Sequence, residues 1–145
     1  MTKIRPMREE DIPQVAEIER ASFSQPWSAQ GFLDTLRNKN TIYLSAEENG
    51  EILGYLGLWK SFTEADITNV AVKKTARRRG VAGLLLREAK RISKENGITS
   101  LTLEVRAGNT AALRLYEKYG FHSVGVRPGF YDLPREDAVI MWAEL

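Results

Sequence analysis

Three arginines open a run of small residues, Arg77-Arg78-Arg79-Gly80-Val81-Ala82-Gly83, between a segment that alternates like a strand and one with helical spacing. A helix N-terminus carries roughly half a positive charge and normally attracts acidic side chains. Here the entrance is basic, and the small residues leave backbone N–H groups uncovered. Basic charge, free amides and a helix dipole meeting at one point suit a multiply charged anion such as phosphate. The run is not a Walker P-loop, because no Gly-Lys-Ser/Thr follows, and it lacks the Gly-x-Gly-x-x-Gly of dinucleotide sites. Gly80 and Gly83 also fit the Gly-x-x-Gly that clamps nucleic-acid backbone in one RNA-binding module. A solvated arginine run beside a tight turn is the plainer reading.

Other side chains carry chemistry only in combination. Glu104 falls on the non-core side of an alternating segment, near its C-terminal end, where ligands collect in open α/β sheets. A carboxylate there can serve as a general base, directly or through water; it can equally be a solvated strand glutamate. Asn109 stands where a helix needs an N-cap. Tyr116 shares a helical seam with Ala112, Leu115 and Tyr119, so it is either core or a phenol aimed into a cleft. Trp27 follows Pro26, and Tyr131 lies in Pro128-Gly129-Phe130-Tyr131-Asp132; both read as loop aromatics that cover a core edge or wall a peptide groove. Asp132, Glu136 or Asp137 could then attract an amine. His122 is expected on the surface of a strand.

The elements that must position these residues are regular. Ile4 to Met7 reads as a strand, Glu9 to Ser22 as an amphipathic helix, and Ser28 as the cap of a helix to about Arg37. Ile42 to Glu47 and Ile52 to Trp59 form a hairpin across Asn49-Gly50, and Ala65 to Val72 adds a third strand, with Ile67, Val70 and Val72 as its apolar members. Val81 to Glu95 is helical and stops at Asn96-Gly97. Ser100 to Val105 alternates, a helix runs from Asn109 to Tyr119, and Phe121 to Val126 and Ala138 to Ala143 close the chain as strands. The order predicts an α/β mixed sheet with at least one parallel crossover.

A chain of 145 residues with this pattern is most simply one domain, 1–145. The net charge of +2 is too small to argue for a nucleic-acid or membrane partner through bulk electrostatics. With no cysteine and a single histidine, disulfides, thiolate metal sites and a multi-histidine metal site lack material. No apolar run reaches signal-peptide or membrane length, so the expected compartment is the cytoplasm.

Taken together, these residues resemble the GNAT acetyltransferase superfamily. Its Gln/Arg-x-x-Gly-x-Gly/Ala loop is matched by Arg77 to Ala82, and its Asn-x-x-Ala-x-x-Leu-Tyr-x-x-x-Gly-Phe segment by Asn109, Ala112, Leu115, Tyr116, Gly120 and Phe121. Phe23 to Ser28, Leu103 to Asn109, and Arg127 to Tyr131 leading to Glu136-Asp137-Ala138 are similar to the branch that acetylates the N-terminal alanine of a ribosomal protein. Arg77 stands where glutamine is commoner, within the tolerated pattern, and Phe130 where tyrosine is frequent.

The resemblance implies a mixed, mostly antiparallel central sheet of about seven strands flanked by about four helices. It implies acetyl-CoA as co-substrate and no metal. Backbone amides of Arg78, Arg79, Gly80, Val81, Ala82 and Gly83 would hold the pyrophosphate. Val70, Ala71 and Val72 would run beside the pantetheine arm, and Asn109 would touch it further along. Glu104 is carried over as general base and Tyr116 as general acid. Trp27 and Tyr131 would contact the acceptor, a protein N-terminus and by this likeness a ribosomal one, with neither nucleic acid nor membrane as partner.

Overall fold

Seven strands and four α-helices form from the segments the sequence marks, and the computed structural model describes residues 1–145. In chain order they are β1 (Lys3–Pro6), α1 (Ile12–Ser22), α2 (Ala29–Leu36), β2 (Thr41–Glu48), β3 (Glu51–Ser61), β4 (Glu64–Val72), α3 (Val81–Glu95), β5 (Ser100–Arg106), α4 (Thr110–Lys118), β6 (His122–Tyr131) and β7 (Glu136–Glu144). Short 3-10 turns occupy Glu9–Asp11 and Lys74–Ala76. The helix expected from Glu9 therefore becomes α-helical only at Ile12, with Pro13 in its first turn, where a missing N–H is harmless.

The sheet runs β1-β2-β3-β4-β5-β7-β6. Every neighbouring pair is antiparallel except β4 and β5, which α3 joins as a parallel crossover. This is the mixed, mostly antiparallel sheet that the sequence resemblance implied. No helix is long and apolar enough to cross a membrane.

Helices cover both faces. On one, Val81, Leu85, Leu86 and Ala89 of α3 pack on Leu56, Leu58, Leu101, Leu103 and Met141. On the other, Val15 and Ile18 of α1 and Phe32 of α2 pack on Tyr43, Ile52, Tyr55 and Ala71. Leu85 and Leu86 are fully buried, and each such side chain contributes about 1.5–3 kcal/mol. One extra residue in β4 decides which side chains face which layer. Gly57 pairs with Asn69 and Leu58 with Ile67, leaving Thr68 as a bulge. Before it, Ala65 and Ile67 face α3; after it, Val70 and Val72 do, while Asn69 and Ala71 turn towards α1.

β6 extends beyond the expected strand. Residues 127–131 continue it to Tyr131, with a register shift opposite Ala138 and Glu136. Asp137 makes this possible by accepting the N–H of Gly129, at 2.8 Å, where the chain has a φ of +60°.

Candidate active site

The parting of two parallel strands creates the site. β4 and β5 pair only at Glu64–Ser100, Ala65–Leu101 and Asp66–Thr102. Past these residues each strand keeps its other neighbour, β3 or β7, and the edges facing one another are free. The bulge at Thr68 adds a bend to β4 at the point of divergence. The result is a cleft of about 460 Å³, with Ile67 to Val70 on one wall and Leu103 to Arg106 on the other. Asn109, Ala112 and Tyr116 close it from the α4 side. The α1–α2 loop supplies Phe23 to Gln25 and Trp27, and the β6–β7 hairpin supplies Tyr131, Leu133 and Pro134.

Six of the sequence-selected residues thus line one cavity: Trp27, Val70, Glu104, Asn109, Tyr116 and Tyr131. Glu104 sits on the open side of β5, and its carboxylate meets Arg127 Nε at 3.0 Å. Tyr116 is half-buried and packs edge-on to Phe121, 5.9 Å between ring centres. Burial, reinforced by Tyr131, pushes its phenol up to about 12, so it is a proton donor across the physiological range. Asn109 does cap α4: its Oδ1 accepts the Ala112 N–H at 3.2 Å, which leaves its amide NH2 free to face the cleft. His122 is exposed on β6 against Trp142 and takes no part.

The arginine-glycine run lies outside this lining, at the start of α3. No side chain caps the helix, no acidic residue stands in its first turn, and Gly80 precedes it in a left-handed conformation. The leading N–H groups consequently point out of the helix end, a cradle that suits an anion. The arginines are not equivalent. Arg79 pairs with Glu48 at 2.6 Å, and Arg77 Nε donates to the Val72 carbonyl at 3.2 Å, while Arg78 forms no ion pair. Gly83 is small for a different reason. A Cβ there would lie 2.1 Å from the Tyr119 hydroxyl, so α4 packs into the space. Gly80 and Gly83 therefore do not form one clamp loop, since Gly83 is inside the helix. Ala71 is buried and Val72 lies at the strand end, both beyond the cleft lining.

Three residues that sequence reasoning did not select hold the walls. Glu19, only 3% exposed, accepts the Trp27 N–H at 3.0 Å and the Tyr55 hydroxyl, fixing the α1–α2 loop to the sheet. Arg106 donates to the carbonyls of Pro134 and Asp132 at 2.9 and 3.1 Å, pairs with Glu136, and lies 4.4 Å from the centre of the Tyr131 ring. Asn69 lines the cleft beside the bulge. Two of the three acidic residues expected to attract an amine do other work: Glu136 binds Arg106 and the Gly108 N–H, and Asp137 holds Gly129.

Comparison with known proteins bears on the family and the fold. Residues 12–121 match the model of the Acetyltransferase (GNAT) family. The chain is 40% identical over 143 residues to a Bacillus subtilis (strain 168) protein, covering 98% of this chain and 95% of that one. It is 32% identical over 145 residues to the ribosomal protein bS18-alanine N-acetyltransferase of Escherichia coli (strain K12), covering 97% and 96%. The crystal structure of the Escherichia coli ribosomal-protein-S18-alanine N-acetyltransferase superposes with a TM-score of 0.92 at 30% identity, covering 99% of this chain and 94% of the other.

Proposed function

Since the chain belongs to the GNAT acetyltransferase family and is an N-acetyltransferase, we propose that it moves an acetyl group from acetyl-CoA to the α-amine of a protein N-terminus, a ribosomal protein beginning with alanine. One observation carries the reading: β4 and β5 part so that Val70 and Glu104 face one cleft, with Tyr116 and Asn109 at its side and, at its rim, Trp27 of the α1–α2 loop and Tyr131, which ends β6 rather than lying in a loop. A relative that shares the full length and acts on the ribosomal protein supports the choice of acceptor.

The residues present fit the donor. The uncapped, acid-free start of α3 would take the pyrophosphate on the amides of Arg78 to Gly83. The edge of β4 from Val70, which β5 leaves unpaired and where only the Val72 carbonyl is met by Arg77, would take the pantetheine arm along Val70 to Val72 as an added strand, with Asn109 beside it. In the reaction the amine nitrogen forms the new N–C bond and the C–S bond breaks, without an acyl-enzyme. Glu104 takes the proton lost by the amine, through water, and Tyr116 gives one to the departing thiolate. A backbone N–H of the Val70–Val72 segment meets the oxyanion.

An α-amine has a pKa near 8 and a lysine near 10.4, so freeing the lysine nitrogen of its proton costs about 3 kcal/mol more at neutral pH. A lone glutamate is therefore matched to the α-amine. A panel of N-terminal peptides, free lysine and polyamines tests the reading. Rapid, acetyl-CoA-dependent turnover of alanine-initiated peptides is expected; faster turnover of the free amines would contradict it.

A further inference from the structure

Asn69 is 6% exposed, yet it lines the cleft. Its Oδ1 accepts the Tyr43 hydroxyl at 3.1 Å and the Thr68 hydroxyl at 2.7 Å. With both hydroxyls on the oxygen, the other end of the amide is its NH2. The Nδ2 group is left with two N–H bonds and no acceptor among the hydrogen bonds of the protein. It is not closed off from the cleft, since Ser93 Oγ is the only buried side-chain polar atom without a partner, so an oxygen of a ligand can take the place of water on it.

The chain invests in holding this group. Tyr43 reaches Asn69 only because Gly57 has no side chain: a Cβ there would come within 2.3 Å of the Tyr43 ring. Phe32 closes on the same ring edge-on, with centres 6.5 Å apart. Burial pushes the Tyr43 phenol up to about 12, so it keeps the proton it can give to Asn69. The Thr68 bulge supplies the second hydroxyl and turns Asn69 to the α1 face, where Glu19 and Trp27 stand. Val70, the next residue, faces the opposite layer with α3 and Tyr116. Asn69 is thus on the acceptor side of the cleft, away from the α3 entrance.

We infer that Asn69 Nδ2 donates a hydrogen bond to the first backbone carbonyl of the acceptor, presenting the neighbouring α-amine for attack. The inference rests on the N-terminal acetyltransferase reading and gives that reading its selectivity. A simple amine has no carbonyl to offer, so it leaves the donor unmet, and a site built to bond a substrate group rejects analogues that lack it.

The test uses Asn69→Asp, which keeps an oxygen for Tyr43 and Thr68 but removes both donors, and Asn69→Leu, which keeps the bulk without a new charge. Each is assayed with an alanine-initiated peptide and with the same peptide carrying a trans-alkene in place of its first amide. The wild type should prefer the amide peptide roughly tenfold in kcat/KM, the scale of one hydrogen bond. Both variants should lose that preference while the KM for acetyl-CoA is unchanged. Variants that lose equal activity on both peptides, or keep the wild-type preference, overturn the inference. A wild-type protein that acetylates neither peptide overturns the activity itself, and with it the inference, before any variant is compared.

Discussion

Arg127 Nε stands 3.0 Å from Oε2 of Glu104, joining the outermost strand to the carboxylate at the mouth of the cleft. The two side chains meet across β7, where Arg127 registers with Ala138 and Glu104 with Ile140. The candidate base therefore has a cationic partner beside it, although both side chains still reach solvent.

Glu104→Gln keeps an oxygen for Arg127 and nearly the same volume but cannot accept a proton. Turnover should fall by about 10²–10⁴-fold, with acetyl-CoA affinity and melting temperature close to those of the wild type. Unchanged turnover at neutral pH would remove Glu104 from the mechanism.

Tyr116 is held protonated up to about pH 12 by burial and by its neighbour Tyr131. A donor whose folded value lies this high keeps its proton as pH rises, so the kcat profile should show no alkaline fall due to this phenol through pH 10. Tyr116→Phe should lower kcat about 10²-fold and leave acetyl-CoA binding intact. Normal specific activity with reduced stability would instead make Tyr116 a packing residue.

Arg106 positions the β6–β7 hairpin through two carbonyls, a carboxylate and an aromatic face. Lysine keeps the charge but has no planar fork to span them. Arg106→Lys should raise the peptide KM several-fold, as expected for one or two lost hydrogen bonds, and leave the KM for acetyl-CoA unchanged. Equal changes in both constants would mean that the hairpin does not shape the acceptor groove.

Much of this was readable in advance. Asn49-Gly50, Ser28, Asn109 and Asn96-Gly97 mark turns and caps by local chemistry, so the element order followed from them. Leu101, Leu103 and Val105 alternate with Thr102 and Glu104, which put Glu104 on the open side of its strand. The wall-holding residues were hidden for a physical reason: their partners are distant in sequence. Arg106 meets the chain 26 to 30 residues later, and Asn69 meets Tyr43 26 residues earlier. One trace did exist. Glu19 sits on the apolar stripe of α1 with Ile12, Val15 and Ile18, and a carboxylate in such a stripe must find buried donors. The bulge at Thr68 left only a break in strand parity, with Ile67 and Val70 both apolar yet three apart.

Asp11 carries the stability of the first turn. Burial alone would raise its carboxyl, but Arg5, the Arg8 N–H and Ser45 more than reverse this and hold it below the ordinary aspartate range. A lowered folded value means that the stabilisation is complete above the unfolded value near pH 4 and drains as pH falls through the folded one. Asp11→Asn leaves Arg5 buried without its main partner and should cost about 3 kcal/mol at pH 7, with the gap to wild type narrowing below pH 4. A gap that stays constant down to pH 3 would contradict this account.

The central claim is that the attacked nitrogen is an α-amine. A synthetic peptide with an N-terminal alanine and an internal lysine, acetylated to low conversion with acetyl-CoA, offers both nitrogens to one enzyme. Fragmentation mass spectrometry then locates the group. The acetyl is expected on the alanine nitrogen alone; its appearance on the lysine, with the α-amine untouched, would contradict the account.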